Sequence, residues 1–267
     1  MTLFQADSLI VTPGREEAID FLLRDRPWSA YALGYLDPVA GVTTSLSATE
    51  RDGKIDSVML QASLPQLMSV YASGDPDGIG SILGNLPGMP ASGVFSIRGE
   101  ALYEFEHRLN VSTAYQMHRM LIRRGELRPR PLAGLVRLGL ADLEPVKRLY
   151  GMWTDSHQLP SQLSGGIYYG VYKRGELVAI AGTHCVSREF KIGAIGNVLT
   201  HSNHRNRGLA SATTTAVAEE LFRIGCEEVV LNVRQGNEVA HHTYLRLGFH
   251  DHCNFIEGVF HSRIGRA

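Results

Sequence analysis

Cysteine is scarce in this 267-residue chain: Cys185, Cys226 and Cys253 are far apart and odd in number. That argues against a disulfide-stapled framework and against a zinc ribbon. The plain expectation is reduced core thiols in a cytoplasmic protein. An excess of one charge sign is equally lacking. Lys and Arg total 26 against 27 Asp and Glu, a formal net charge of −1, so no global field recruits nucleic acid or an anionic membrane. Any anion site must be local. No run approaches the ~20 apolar residues that a bilayer span needs. The opening MTLFQADSLIVTPGREE shows no basic stretch leading into an apolar one, so neither a membrane segment nor a signal peptide is expected. What the chain does have is 44% hydrophobic residues, enough for an ordinary core. Its length suits one large domain or two small ones, on a prior of roughly 100–200 residues per domain.

The pattern alternates helices with strands. Residues 14–36 read as one helix with Ile19, Leu22 and Leu23 on a stripe, and 43–62 as two strands around an Asp52-Gly53 turn, a strong hairpin signal. Strands are expected at 67–73, 93–99 and 114–122, a helix at 102–109, and a loop through SGDPDGIGS at 73–81. RRGELRPRPLAG (123–134) gathers four arginines with two prolines and two glycines and reads as a linker. Its arginines are either solvated charge or groups that reach a phosphate of a bound ligand. Beyond it come a strand at 135–140, a helix at 142–153 opened by Asp142, and a loop over 153–166. A hairpin at 167–187 turning at Arg174-Gly175 follows, with a strand at 191–200. Next are a helix to about Ile224 with Leu209, Ala212, Ala216, Val217 and Leu221 at helical spacing, a strand at 227–233, a helix within 235–248 and a closing strand by 260. The class is mixed α/β. The two halves share one element order, which points to an old duplication.

THSNHRNRGLAS (200–211) is the stretch richest in chemistry. It sets Arg205, Arg207 and Gly208 where a helix begins. The first backbone N–H groups of a helix have no intrahelical partners, and the aligned peptide dipoles place roughly half a positive charge there. Glycine admits a ligand close to the backbone, and guanidiniums suit phosphate oxygens. The spacing alone is also met by a helix start whose arginines sit in water.

The surroundings decide for a ligand. Arg205-Asn206-Arg207-Gly208-Leu209-Ala210 fits the [Gln/Arg]-x-x-Gly-x-[Gly/Ala] pattern of the GNAT N-acetyltransferases. The strand GNVLT precedes it, an amphipathic helix and EEVVLNV follow, and Asn237-x-x-Ala240-x-x-x-Tyr244-x-x-Leu247-Gly248-Phe249 resembles that superfamily's closing signature. The resemblance covers roughly 135–260. It implies a mostly antiparallel central sheet flanked by helices, and acetyl-coenzyme A as co-substrate with no metal. It implies backbone from Arg205 to Ser211 (Arg205, Asn206, Arg207, Gly208, Leu209, Ala210, Ser211) around the pyrophosphate. A splayed strand end, Asn197 through Val198 and Leu199 to Thr200, would lie along the pantetheine arm, with Asn232 and Asn237 across the cleft. Asn237 also suits a helix cap. Tyr244 is implied as the acid that protonates the leaving thiolate, since a phenol is a neutral donor at pH 7; a core tyrosine is the alternative.

A general base is not assigned, because KIGAIGNVLT carries no carboxylate. Asp155, His157, His184, Glu189, His201 and His241 are candidates, each of which also fits a packing or surface role. The histidine pairs lack a completing carboxylate or cysteine at ligand spacing, so no metal site is expected. In the first half, Asp75-Pro76-Asp77-Gly78-Ile79-Gly80 keeps two glycines, yet its carboxylates would repel a pyrophosphate and Pro76 removes a donor. The expected organisation is a degenerate GNAT-like domain without a coenzyme A site at 1–126, a linker at 127–134 and a catalytic domain at 135–267. The expected acceptor is a primary amine of a small molecule or peptide, on a monomer or homodimer. An acyl-coenzyme A sensor without turnover is the alternative.

Overall fold

The computed structural model describes residues 9–64, 67–86, 90–151 and 163–263. They form two compact units. The first holds the described residues of 1–36, 41–117 and 254–267; the second holds those of 37–40 and 118–253.

The first unit contains β1 (Leu9–Val11), α1 (Arg15–Leu22), α2 (Ala30–Leu36), β2 (Thr43–Arg51), β3 (Lys54–Leu64), β4 (Leu67–Gly74), α3 (Pro76–Asn85), β5 (Ser92–Ile97) and α4 (Leu102–Arg108). It also takes the first part of β6 (Leu109–Arg123). β2 and β3 close around Asp52 and Gly53, both at positive φ, as the two-residue turn demands. β4 and β5 run parallel. The far edge of β5 pairs antiparallel with Ile256–His261 of β12 (His250–Ser262), from the other end of the sequence. Val70, Phe95, Phe105, Ile256 and Phe260 share one buried cluster over this sheet.

Two expectations fail here. The helix expected over 14–36 is broken, because Pro27 supplies no N–H and Asp25 Oδ1 instead accepts the Trp28 amide at 3.2 Å. The chain restarts as α2 at Ala30. The loop expected at 73–81 is largely α3: Asp75 caps it and Pro76 occupies its first turn. Proline at that position is preset for a helix rather than hostile to it.

The second unit begins with the remainder of β6, then β7 (Leu135–Arg137), α5 (Leu143–Gly151), β8 (Tyr168–Lys173), β9 (Glu176–Ser187) and β10 (Ile192–Thr200). α6 (Leu209–Arg223), β11 (Glu228–Arg234), α7 (Glu238–Leu247) and the start of β12 complete it. Its strand order is β6-β11-β10-β9-β8-β7. The β10–β11 pair is parallel, and β10–β9, β9–β8 and β8–β7 are antiparallel. This is the mixed α/β sheet flanked by helices that the sequence led us to expect. The apolar stripe of α6, Val217, Ala218, Leu221 and Phe222, packs on Ile195, Val229, Leu231 and Val233. Each such side chain stabilises the unit by about 1.5–3 kcal/mol when fully buried.

Asp37 belongs to this unit although its chain neighbour Leu36 does not. It is 3% exposed. Its Oδ2 accepts the Ser187 hydroxyl at 2.7 Å and the amides of Arg188 at 3.0 Å and Glu189 at 3.3 Å, while Oδ1 accepts Val39 N at 3.0 Å. Burial pushes its pKa up, but these four donors outweigh burial and hold it below the ordinary aspartate value. A depressed carboxylate contributes stability above its unfolded pKa, near 3.9, and loses it as pH falls through the lower folded value. Asp37→Ala is therefore expected to cost on the order of 3 kcal/mol at neutral pH by stranding buried amides. Urea unfolding at pH 7 and at pH 3 checks this: the deficit against wild type should shrink in acid.

Candidate active site

β10 is paired with β11 only from Ile192 to Ile195. Beyond that point the register with β9 shifts as well, between Gly196 and Leu199. Asn197 occupies the shift with φ +55, a left-handed conformation that asparagine tolerates better than most residues. Its side chain is held from both ends. Asn197 Nδ2 donates to the Tyr168 hydroxyl at 2.9 Å, and Oδ1 lies 3.2 Å from His184 Nε2. Tyr168 OH in turn donates to the Thr183 carbonyl at 3.2 Å, and Tyr150 OH donates to the Asn197 carbonyl. With the amide nitrogen donating to Tyr168, Oδ1 must accept, so His184 carries its proton on Nε2. Burial lowers the His184 pKa, which keeps the ring neutral at pH 7. Gly196 makes the room: a Cβ there would overlap the His184 ring.

The strand end that leaves β11 leads through a turn into α6. Gly208, the N-cap, sits at φ +73 and no side chain caps the helix. The contrast within the chain is plain, since Asp75 caps α3 and Asn237 caps α7. The tip of α6 opens on a cleft of about 480 Å³ lined by Pro129, Arg130, Pro131, Leu132, Arg207, Gly208, Ser211, Ala212 and Arg246. No carboxylate is among these residues. A helix N-terminus without a side-chain cap, in a cleft lined by arginines, has the dipole, donors and charge that suit an anion.

The sequence-marked residues divide accordingly. Arg207, Gly208 and Ser211 line the cleft, with Arg207 braced on the Asn203 carbonyl at 3.3 Å. Arg205 turns back to the Thr200 carbonyl at 3.4 Å, and Asn206 is an exposed turn residue at φ +60. Leu209 is buried with Val171, Val178 and Ala179, so it offers backbone only; Ala210 is half-buried. Val198 lies in the irregular stretch of β10, while Leu199 and Thr200 regain pairing with β9. Asn232 is half-buried on β11. Asn237 caps α7 through the Ala240 amide at 3.3 Å.

Tyr244 is 7% exposed and packs edge-on against Phe249 with ring centroids 6.1 Å apart. Its hydroxyl is hydrogen-bonded to no described residue, and burial pushes its pKa up to about 12. Of the base candidates, His184 belongs to the buried network above. His201 Nδ1 caps the turn by accepting Asn203 N at 3.2 Å, and the Glu189 amide donates to Asp37. His241 Nε2 lies 2.8 and 3.0 Å from the Asp251 oxygens. His118 joins that pair, with candidate ligand atoms of the trio within 4.8 Å of one another. Asp155 and His157 lie outside the described residues. Burial raises the thiols of Cys185 and Cys226, to about 12 and about 11, which disfavours the thiolate form of both. Sequence reasoning missed Arg246 and left Arg130 undecided; the arginine run at 123–130 was the available signal.

The Asn197 network predicts its own test. Asn197→Gly removes the side-chain bonds but suits the backbone, whereas Asn197→Ala adds a left-handed penalty of roughly 1 kcal/mol. Both are expected to lower Tm, the alanine variant further.

Comparisons with known proteins agree with this geometry. Residues 139–249 match the model of the acetyltransferase (GNAT) family. A protein from Drosophila melanogaster superposes with TM-score 0.71 at 12% identity, over 97% of this chain and 100% of that one. A GCN5-related N-acetyltransferase from Kribbella flavida gives 0.60 at 18% identity, over 90% and 95%. A tandem GNAT protein from the clavulanic acid biosynthesis pathway gives 0.57 at 11% identity, over 95% and 98%. No curated protein matches the sequence. No described helix is long and apolar enough to cross a membrane. Over residues 139–249 the chain is thus similar to the acetyltransferase (GNAT) family, and its fold is that of the solved structures on which it superposes.

Proposed function

We propose that the chain is an acetyl-coenzyme A-dependent N-acetyltransferase that acts on a primary amine of a small molecule or peptide. The observation that carries this reading is the uncapped tip of α6 opening into an arginine-lined cleft without a carboxylate. Backbone N–H groups at Gly208 to Ser211, with Arg207, hold the pyrophosphate. The edge from Asn197 to Thr200, freed from β11 beyond Ile195, lies along the pantetheine arm, with Asn232 and Asn237 opposite. When bound, acetyl-coenzyme A supplies the acetyl group as an activated thioester.

Tyr244 then donates the proton that the departing thiolate needs. A raised phenol pKa keeps that proton in place throughout the working pH range, and a hydroxyl with no described partner is ready to give it. Transfer is direct, so the amine attacks the carbonyl carbon, the C–S bond breaks and the nitrogen's surplus proton leaves to solvent or a nearby base. The division into 1–126, a 127–134 linker and a catalytic 135–267 belongs to this proposal. In the N-terminal part the matching helix start is filled by its own Asp75, which also pairs with Arg51 at 2.5 Å. Asp75, which accepts the Asp77 amide, and Asp77 itself put negative charge where a pyrophosphate would have to sit.

Calorimetry with coenzyme A, and thiol release from acetyl-coenzyme A across an amine panel, test the proposal. Wild type should bind and turn over; binding without turnover on any amine redirects the reading to an acyl-coenzyme A sensor. Replacing Arg205 and Arg207 together by Glu should abolish binding, because the local field at the helix tip reverses sign. Tyr244→Phe should bind normally yet lose roughly 10²-fold in kcat. Because the Tyr244 pKa is near 12, no loss of wild-type activity below about pH 11 should trace to its ionisation.

A further inference from the structure

Folding completes a set of side chains that spacing along the chain does not show. His118 lies on β6 two residues before Met120, and Asp251 lies on β12 two residues after Phe249. Side chains two apart on a strand share a face. Met120 and Phe249 are buried in one cluster with Tyr244 and Leu247 of α7. The same face therefore brings His118 and Asp251 to His241, which stands three residues before Tyr244 on α7. β6 and β12 are neighbouring strands, so three separate elements of the second unit meet here.

The meeting is close. The His118 and His241 rings have centroids 4.9 Å apart. His241 Nε2 lies 2.8 and 3.0 Å from the two Asp251 oxygens. One nitrogen or oxygen from each of the three residues lies within 4.8 Å of the others. No described Lys or Arg forms an ion pair with Asp251, whose carboxylate is answered by an imidazole. The His241 and Asp251 side chains are 17% and 48% exposed, so water and a small ion can reach them. None of the three residues lines the cleft at the tip of α6.

We propose that His118, His241 and Asp251 bind one divalent transition metal ion of the zinc class. Two imidazoles and a carboxylate are a donor set for such an ion, with water in the fourth place. At metal–ligand lengths of about 2.0–2.2 Å, tetrahedral ligand atoms stand roughly 3.3–3.5 Å apart. The separations here bracket that value, with 2.8 Å between His241 and Asp251 and at most 4.8 Å within the trio. Small side-chain rotations therefore close the set. The ion takes the place of the proton on His241 Nε2 that faces Asp251, and that proton passes to Nδ1 or to solvent. Bound there, it ties β6 and β12 to the helix that carries Tyr244. Its role is that of a staple, and it stands independently of the proposed function. Glu238, His241 and His242 form a second close group. Glu238 and His242, however, sit on one helix, 69% and 62% exposed, and His242 Nδ1 is engaged with the Glu238 carbonyl at 2.7 Å.

Calorimetry with zinc chloride tests this on the full chain, stripped with a chelator and free of coenzyme A. Wild type is expected to take up one zinc ion per chain, and its Tm to rise with zinc concentration, as for any ligand of the folded state. H118Q and D251N should each weaken uptake by at least roughly 10–100-fold, the loss that changes just outside a ligand set already bring. Asn at 251 keeps an acceptor for His241 on a half-exposed strand position, so the metal-free Tm of D251N should stay near wild type. H250A, exposed on the same strand but outside the trio, and E238A/H242A should bind zinc as wild type does. Absence of uptake by wild type, or uptake that survives both H118Q and D251N, overturns the site. Loss confined to E238A/H242A assigns the ion to that helix and overturns it as well.

Discussion

A parallel strand pair that stops early is the constraint from which the candidate site follows. β10 and β11 share only four paired residues before they part. What holds them apart is a left-handed asparagine whose amide is tied on one side to a tyrosine and on the other to a histidine. Backbone groups released from a ladder inside a protein must find other partners. Here Leu199 and Thr200 regain β9 after the irregularity, and the Asn197 carbonyl accepts from Tyr150 OH. The same departure sets the direction in which the chain enters the turn at 201–208 and so aims the first turn of α6. Buried polar networks of this kind fix one geometry because a partly satisfied alternative is expensive.

The electrostatics are local by design of the sequence. A net charge of −1 cannot draw an anionic ligand from afar, so the proposed recognition rests on one helix tip and the arginines of a cleft whose lining holds no carboxylate. The chain contains its own contrast. α3 is the corresponding helix of the first unit, yet Asp75 caps it through the Asp77 amide and pairs with Arg51. One carboxylate at the capping position thus places negative charge where the other helix start has none. The difference between the halves is chemical before it is geometric.

Local signals made much of this visible from the sequence. The Asp52-Gly53 and Arg174-Gly175 turns, the stripe of α6 and the run from Arg205 to Ala210 all act within a few residues, and the structure places each where its spacing indicated. Position-dependent roles were harder. Pro76 reads as a breaker until its place in the first turn of α3 is known, and the stripe of α1 hides a break that Pro27 and Asp25 make together. Long-range partners were hidden entirely. Nothing near Asp37 in sequence announces that it will hold the turn after β9, 150 residues away. Nothing near Arg246 shows that Arg130 will line the same cleft. Spacing along a chain encodes faces of helices and strands, whereas the meeting of two distant segments is settled only by packing.

The pairing of β5 with Ile256–His261 has a consequence for biosynthesis. Strands β1 to β5 emerge from the ribosome early, but β5 keeps an open hydrogen-bonding edge until a segment more than 150 residues later arrives. Exposed edges invite pairing with other nascent chains, and contacts of such sequence separation form slowly. The unit that is synthesised first is therefore the one that closes last.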